Sequence, residues 1–152
     1  MPIIKSVTAT AFLFCLLYAG VACSGAIPVE LANEEGRYQL LRGGEPYDIR
    51  GAGLEYRDLG VLVSHGGNSI RTWRTDNAHQ SGQEVLDNAA KHGITVVMCI
   101  EIGRERHGFD YDDEEAVAAQ LEYARGEVMK YKDHPALLVW MIGNEPNLHF
   151  KN

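Results

Sequence analysis

Leu137-Leu138-Val139-Trp140-Met141-Ile142-Gly143-Asn144-Glu145-Pro146-Asn147 decides how this chain is to be read. Six consecutive apolar residues suit a parallel strand buried on both faces, and Gly143 ends the run. An amide and a carboxylate, Asn144 and Glu145, are thereby set at the C-terminal tip of a strand. The last residue, Asn152, follows only five positions after Asn147.

Working back from that run, three further segments read as strands: Tyr47 to Ile49, Ser69 to Trp73 and Ile94 to Ile100. Helices with readable ends lie between them. Ser81-Gly82-Gln83-Glu84 is a capping-box sequence, followed by an apolar face of Val85, Leu86, Ala89 and Ala90, and Gly93 can supply a left-handed stop. A longer helix starts near Asp112 or Asp113, carries Val117, Leu121, Ala124, Val128 and Tyr131 at steps of three or four, and ends before Asp133-His134-Pro135. A short helix is expected around Leu59, Leu62 and Val63. His65-Gly66 and His92-Gly93 then form equivalent turns into successive strands.

The repeating unit is therefore βα, which builds a parallel sheet with right-handed crossovers, either open and doubly wound or closed as a barrel. The polar residues favour the barrel. Arg71, Trp73 and Arg74 follow the second strand, Glu101 the third, and Asn144 with Glu145 the fourth, and α/β barrels keep their chemistry at strand C-termini. No glycine-rich phosphate loop follows the first strand, so a dinucleotide-binding sheet loses its main support.

Ahead of this pattern, Val29 to Leu31 and Tyr38 to Leu41 alternate around Asn33-Glu34-Glu35-Gly36, and Arg42-Gly43-Gly44-Glu45 turns again before Pro46 to Arg50. This is a β-hairpin entry piece, residues 24–46. Before it, Met1 to Lys5 is weakly basic, Val7 to Ala22 is apolar apart from Thr8 and Thr10, and Gly20-Val21-Ala22 is a small-x-small cleavage pattern. Residues 1–23 thus read as a secretory signal, and the run is shorter than the ~20 apolar residues of a membrane span. Export to a periplasmic, cell-envelope or extracellular location is the expectation. Gly20-Val21-Ala22-Cys23 also resembles a lipobox, which makes Cys23 the candidate lipidation site and membrane attachment through it the corresponding partner expectation.

Composition narrows the function classes. The chain has 152 residues, 45% of them hydrophobic, enough for one domain with a real core. A net charge of -7 without a basic cluster argues against a nucleic-acid partner. Three cysteines, Cys15 and Cys23 in or at the end of the leader and Cys99 within a strand, make no disulfide framework.

Three blocks carry a resemblance: Tyr47-Asp48-Ile49-Arg50-Gly51-Ala52-Gly53, then Gly67-Asn68-Ser69-Ile70-Arg71-Thr72-Trp73, then Asp133-His134-Pro135-Ala136-Leu137-Leu138-Val139-Trp140 running into Gly143-Asn144-Glu145-Pro146-Asn147. In this order and spacing they resemble the TIM-barrel catalytic domain of family 2 glycoside hydrolases and their clan relatives. A full (β/α)8 barrel takes about 250 residues, so the resemblance implies that residues 47–152 hold only the first four βα units or so, the N-terminal half. Carried over residue by residue, it implies that Glu145 is the general acid/base and that Asn144 bonds the sugar hydroxyl beside the anomeric carbon. It also implies that Arg71 orients the second carboxylate, the nucleophile of strand seven, which is not among these residues. A retaining glycosidase needs both carboxyls, about 5 Å apart.

The stretch Glu101-Ile102-Gly103-Arg104-Glu105-Arg106-His107-Gly108 is similar to the strand-three loop of β-galactosidase-type members, which implies substrate contacts from Glu101 and His107 and makes a divalent cation a candidate there. No metal ligand is assigned and no cofactor is expected. Each residue has a plainer structural role beside the functional one: Arg71 as partner of Asp76, Trp73 as core rather than sugar platform, Trp140 as packing, Cys99 as a small buried hydrophobe, and His65, His92 and His134 as turn caps or core contacts. The expected activity is hydrolysis of O-glycosyl bonds in a β-linked carbohydrate. The alternatives are a non-catalytic half-barrel that binds sugar or a partner chain, and a glycan transferase on the same barrel. The missing half-barrel or a self-dimer is the expected protein partner.

Overall fold

A computed structural model describes residues 25–146. The leader, Cys15 and Cys23 therefore lie outside the described residues, as does Asn147. Strands β1 (Val29–Glu34), β2 (Arg37–Arg42) and β3 (Glu45–Pro46) form an antiparallel sheet in the order β1-β2-β3. They are followed by β4 (Gly51–Gly53), α1 (Leu59–Ser64), β5 (Ser69–Arg71), α2 (Gly82–Lys91), β6 (Thr95–Ile100), a one-turn 3₁₀ segment (Glu105–His107), α3 (Glu114–Tyr131) and β7 (Leu137–Ile142). Strands β4, β5, β6 and β7 pair in that order, all parallel. The described βα units are thus an α/β arrangement with strands adjacent in sequence order, with no doubly wound reversal among the described residues.

Helix ends follow from local chemistry. Ser81 Oγ accepts from Glu84 N at 3.3 Å while Ser81 N donates to the Glu84 carboxylate at 2.8 Å, a complete capping box. The Ser81 backbone N–H, and after it the Ser81 hydroxyl, which donates to the same carboxylate at 2.9 Å, hold the Glu84 carboxyl below its ordinary range. Asp113 caps α3 by accepting from Glu115 N and Ala116 N, both at 3.1 Å. The two His-Gly turns are the same structure twice. After α2, Gly93 N donates to Ala90 O and Ile94 N to Ala89 O; after α1, Gly66 N donates to Val63 O and Gly67 N to Leu62 O. Both are Schellman turns, with Gly93 at φ 67° and Gly66 at φ 80°. His65 Nδ1 and His92 Nδ1 each approach the carbonyl four residues back, at 2.8 and 2.9 Å. His134 instead accepts from Ala136 N at 3.1 Å and reaches Asp87 at 3.2 Å, tying the turn before β7 to α2.

The core lies between the sheet and α2. Leu86, Val96 and Met98 are fully buried, joined by Ile70, Val85, Ala89, Ile94 and Leu137, with Trp140 packed against them. Burying a side chain of this size contributes roughly 1.5–3 kcal/mol. A bulge between Val96 and Val97 lets Leu138 slip out of register, after which Met98 pairs with Trp140 and Cys99 with Met141.

Three expectations need correction. The first parallel strand is Gly51–Gly53, not Tyr47 to Ile49. Ile49 is 51% exposed and the segment is fastened by other means. Asn68 accepts from Arg50 N and donates to Asp48 O, both at 2.8 Å, and Tyr47 Oη donates to Asn68 O at 2.8 Å. Gly51 fits where nothing larger would, since a Cβ there would stand 2.6 Å from Ser69 O. Second, β5 ends at Arg71 rather than Trp73, because the Thr72 hydroxyl takes over the ladder and accepts from Cys99 N at 3.1 Å. Third, Leu121 does not join the buried face of α3 and is 50% exposed, whereas Glu127 and Tyr131 are buried. The helix is anchored near its C-terminal end, where Tyr131 lies against Gly82 and donates to Asp76 at 3.3 Å.

Candidate active site

The C-terminal ends of β5, β6 and β7 bring the polar residues to one edge of the parallel sheet. Arg71 is the last residue of β5 and pairs with Val97 of β6, on the opposite face from Ile70 and its core contacts. Its guanidinium donates from Nη2 to Asn144 Oδ1 in a short hydrogen bond and to Met141 Sδ at 3.2 Å. It also lies 5.2 Å over the Trp73 ring, a separation at which a cation is attracted to the aromatic face. Trp73 lies in turn against Gly53, where a Cβ would come within 3.0 Å of the indole, so β4 provides a shelf for the ring. Arg71, Trp73 and Asn144 are therefore assembled as one group. Arg71 does not pair with Asp76, which instead accepts from Gly82 N at 2.7 Å.

The Gly143-Asn144-Glu145 turn has a strained geometry. Gly143 N still donates to Ile100 O at 2.8 Å, but its φ is 74°, and a Cβ would lie 2.7 Å from the Ile102 side chain. Glu145 also takes a positive φ, 50°, although it is neither glycine nor asparagine and precedes proline. A residue held this way costs of order 1–3 kcal/mol and persists only where its surroundings enforce it. One such contact is present: Arg106 Nη1 donates to Glu145 O at 2.5 Å. The Glu145 side chain is exposed.

Glu101, at the end of β6, is held between two arginines, Arg104 at 2.7 Å and Arg74 at 3.7 Å, and Arg74 also reaches Glu55 at 3.4 Å. Glu101, Arg104 and His107 line an open cleft together with Ile102, Phe109 and Tyr123. Ile102 is thus shared between the cleft wall and the Gly143 turn. Glu105 lies exposed on the 3₁₀ turn. Among the described residues no group of three or more His, Cys, Asp or Glu side chains comes together as a metal site. Cys99 is wholly buried beneath this edge, and burial pushes its thiol above the ordinary range, partly opposed by Arg71.

Glu55 was missed from the sequence, and for an identifiable reason. It stands two residues after Gly53, a strand-end carboxylate like Glu101, but misplacing the first strand at Tyr47 to Ile49 put it in the middle of a loop. Arg106 carries no signal of its own in the sequence, since no spacing rule links it to a residue thirty-nine positions away.

An α/β domain with a polar rim at the carboxyl ends of its parallel strands is the class this geometry defines. Residues 48–152 match the family model described as glycosyl hydrolases family 2, TIM barrel domain, and the chain belongs to that family. It is 30% identical over 122 residues to the β-glucuronidase of Mus musculus, covering 75% of this chain and 17% of that protein. To the β-glucuronidase of Homo sapiens it is 26% identical over 113 residues, covering 71% of this chain and 16% of the relative. A β-galactosidase of Vibrio cholerae is 32% identical over 97 residues, covering 60% of this chain and 9% of the relative. The chain therefore spans only a small part of the length of these relatives.

Proposed function

We propose that residues 47–152 are the first four βα units of a (β/α)8 barrel that hydrolyses β-linked O-glycosides with retention, Glu145 being the proton donor. The contact of Arg71 with Asn144 carries this reading. With Oδ1 of Asn144 engaged by the guanidinium, the amide Nδ2 is left as a donor for the hydroxyl beside the anomeric carbon, and Glu145 is the next residue in the chain. The names of the relatives, β-glucuronidases and a β-galactosidase, point to a β-hexopyranoside as the substrate class. Glu101, its charge compensated by Arg104 and Arg74, and His107 offer polar contacts along the cleft wall, while Trp73 backs Arg71 and presents its remaining edge to the sugar.

In the first step the Glu145 carboxyl gives its proton to the glycosidic oxygen as the bond to the anomeric carbon breaks, and a carboxylate from outside residues 25–146 bonds to that carbon. In the second step Glu145, now a carboxylate, takes a proton from water, which displaces the enzyme carboxylate. Completion by a further segment is supported by β7, an edge strand among the described residues, where Val139 and Ile142 are 38% and 56% exposed. Additional strands of a closed barrel would cover them. Export and acylation at Cys23 belong to the same proposal, on the pattern of residues 1–23.

Trapping the glycosyl-enzyme of the full-length protein with a fluorinated aryl β-glycoside, followed by peptide mass spectrometry, tests the assignment. The label is expected on a carboxylate outside residues 25–146, with retention at the anomeric carbon. A label on Glu101 or Glu145, or an inverted product, overturns it.

A further inference from the structure

Glu145 has an unfavourable backbone that something must hold, and the holder is on a different βα unit. Its φ of 50° is one that non-glycine residues adopt rarely, and the following proline narrows its choices further. Pro146 has no N–H, so the turn cannot be closed by a backbone donor at that position. The Glu145 carbonyl instead accepts from Arg106 Nη1 at 2.5 Å. Arg106 sits in the 3₁₀ turn Glu105–His107, and that turn is itself well fastened. His107 N donates to Arg104 O at 2.8 Å and Gly108 N to Glu105 O at 2.9 Å. Gly103 N donates to Gln120 Oε1 of α3 at 2.5 Å, and Tyr111 Oη to Gly103 O at 2.8 Å. Arg104 is bound to Glu101 at the end of β6. The guanidinium of Arg106 therefore reaches across from a braced loop to the Glu145–Pro146 peptide, one of the two whose orientations set where the Glu145 side chain leaves the backbone.

We infer that Arg106 is a positioning residue for the proton donor: by binding the Glu145 carbonyl it keeps that residue in its left-handed conformation and so sets the direction of its carboxyl group toward the glycosidic oxygen. The inference rests on Glu145 being the proton donor. Its chemistry follows from what proton donation is worth and to whom. An aryl glycoside whose phenolate leaves unaided needs no proton, whereas a sugar or alkyl leaving group does, and well-placed general acid catalysis contributes about 10²–10⁴ in rate. A displacement of about 1 Å in a reacting group costs on the order of 10²-fold. Removing Arg106 should therefore act only on substrates that need the proton.

The test uses the full-length protein with three substitutions, Glu145→Gln, Arg106→Ala and Arg106→Lys, assayed on β-glycosides whose leaving groups run from dinitrophenol to methanol. Arg106→Ala is expected to lower kcat/KM about 10- to 100-fold for the poor leaving groups and less than about threefold for dinitrophenol, with Arg106→Lys recovering part of the loss. Should Arg106→Ala fail to fold, Arg106→Lys and Arg106→Gln read the same dependence at smaller amplitude. An equal loss on all leaving groups, or none on any, while Glu145→Gln shows the steep dependence, overturns the positioning role. If Glu145→Gln itself shows no dependence on the leaving group, the proton-donor assignment fails, and this inference with it.

Discussion

Arg71 and Asn144 should be energetically coupled, and the structure sets the size of the coupling. Asn144→Ala removes the acceptor of the guanidinium, leaving Nη2 with Met141 Sδ at 3.2 Å and the group as a whole against the Trp73 ring. The Nε of Arg71 is already buried without a hydrogen-bond partner, so the site has little capacity to absorb another loss. A hydrogen bond to a charged group contributes about 1.5–3 kcal/mol, and an orphaned donor at a half-buried site costs a similar amount. Asn144→Ala should thus destabilise by about 2 kcal/mol, a shift of roughly 1 M in the urea midpoint for a domain with a slope near 2 kcal/mol/M. Arg71→Met, which keeps the apolar stem, should cost a comparable amount on its own. In the double variant the second substitution finds its partner already gone, so the combined loss should fall short of the sum by about 1.5–3 kcal/mol. The assay is equilibrium urea unfolding of the full-length protein and the three variants. Additivity to within about 0.5 kcal/mol, the behaviour of distant independent sites, would show that the two side chains are not joined and that the rim is not assembled as described.

Two glycines should respond in opposite directions to alanine. Gly51→Ala puts a Cβ 2.6 Å from Ser69 O and should destabilise by about 1–3 kcal/mol through forced strand separation, whereas Gly126→Ala, in α3 with nothing within 4 Å, should stabilise by roughly 0.5–1 kcal/mol; thermal melts of both variants decide. Stability should also fall on the acid side through Glu84. Its carboxyl is held below the ordinary value of 4.5, so its contribution is present above that pH and is lost as pH drops through the lowered folded-state value. Glu84→Gln should therefore be less stable than the parent near neutrality and show a shallower acid limb in a pH series of melts, and an unchanged limb contradicts the capping-box account.

What was legible in the sequence was what is decided locally. Ser81 and Glu84, Asp113, and the two His-Gly turns are encoded by side chains bonding to backbone within a few residues, and each formed where its pattern placed it. The runs Ile94 to Ile100 and Leu137 to Ile142 were legible because continuous apolar residues have few other uses. Gly51–Gly53 was not, since a Gly-Ala-Gly strand carries no pattern of its own and exists because Ser69–Arg71 comes close enough to pair with it. Leu121 was misread because helical spacing says which residues share a face, not how far along the helix a partner extends. In the rim, Arg71, Asn144 and Glu145 were marked by their places at strand ends. Glu55 was hidden by the misplaced first strand, and the bond from Arg106 to Glu145 crosses between two βα units, where spacing carries no information.

The proposed hydrolysis depends on Glu145 supplying the proton to the leaving group. Its most direct test is kcat/KM of Glu145→Gln in the full-length protein, plotted against the pKa of the leaving group across a series of aryl and alkyl β-glycosides. With Glu145 as proton donor, rates stay near parental for dinitrophenol and fall by about 10²–10⁴ for alkyl and sugar leaving groups. A loss of the same size for every leaving group, or rates indistinguishable from the parent throughout, would contradict it.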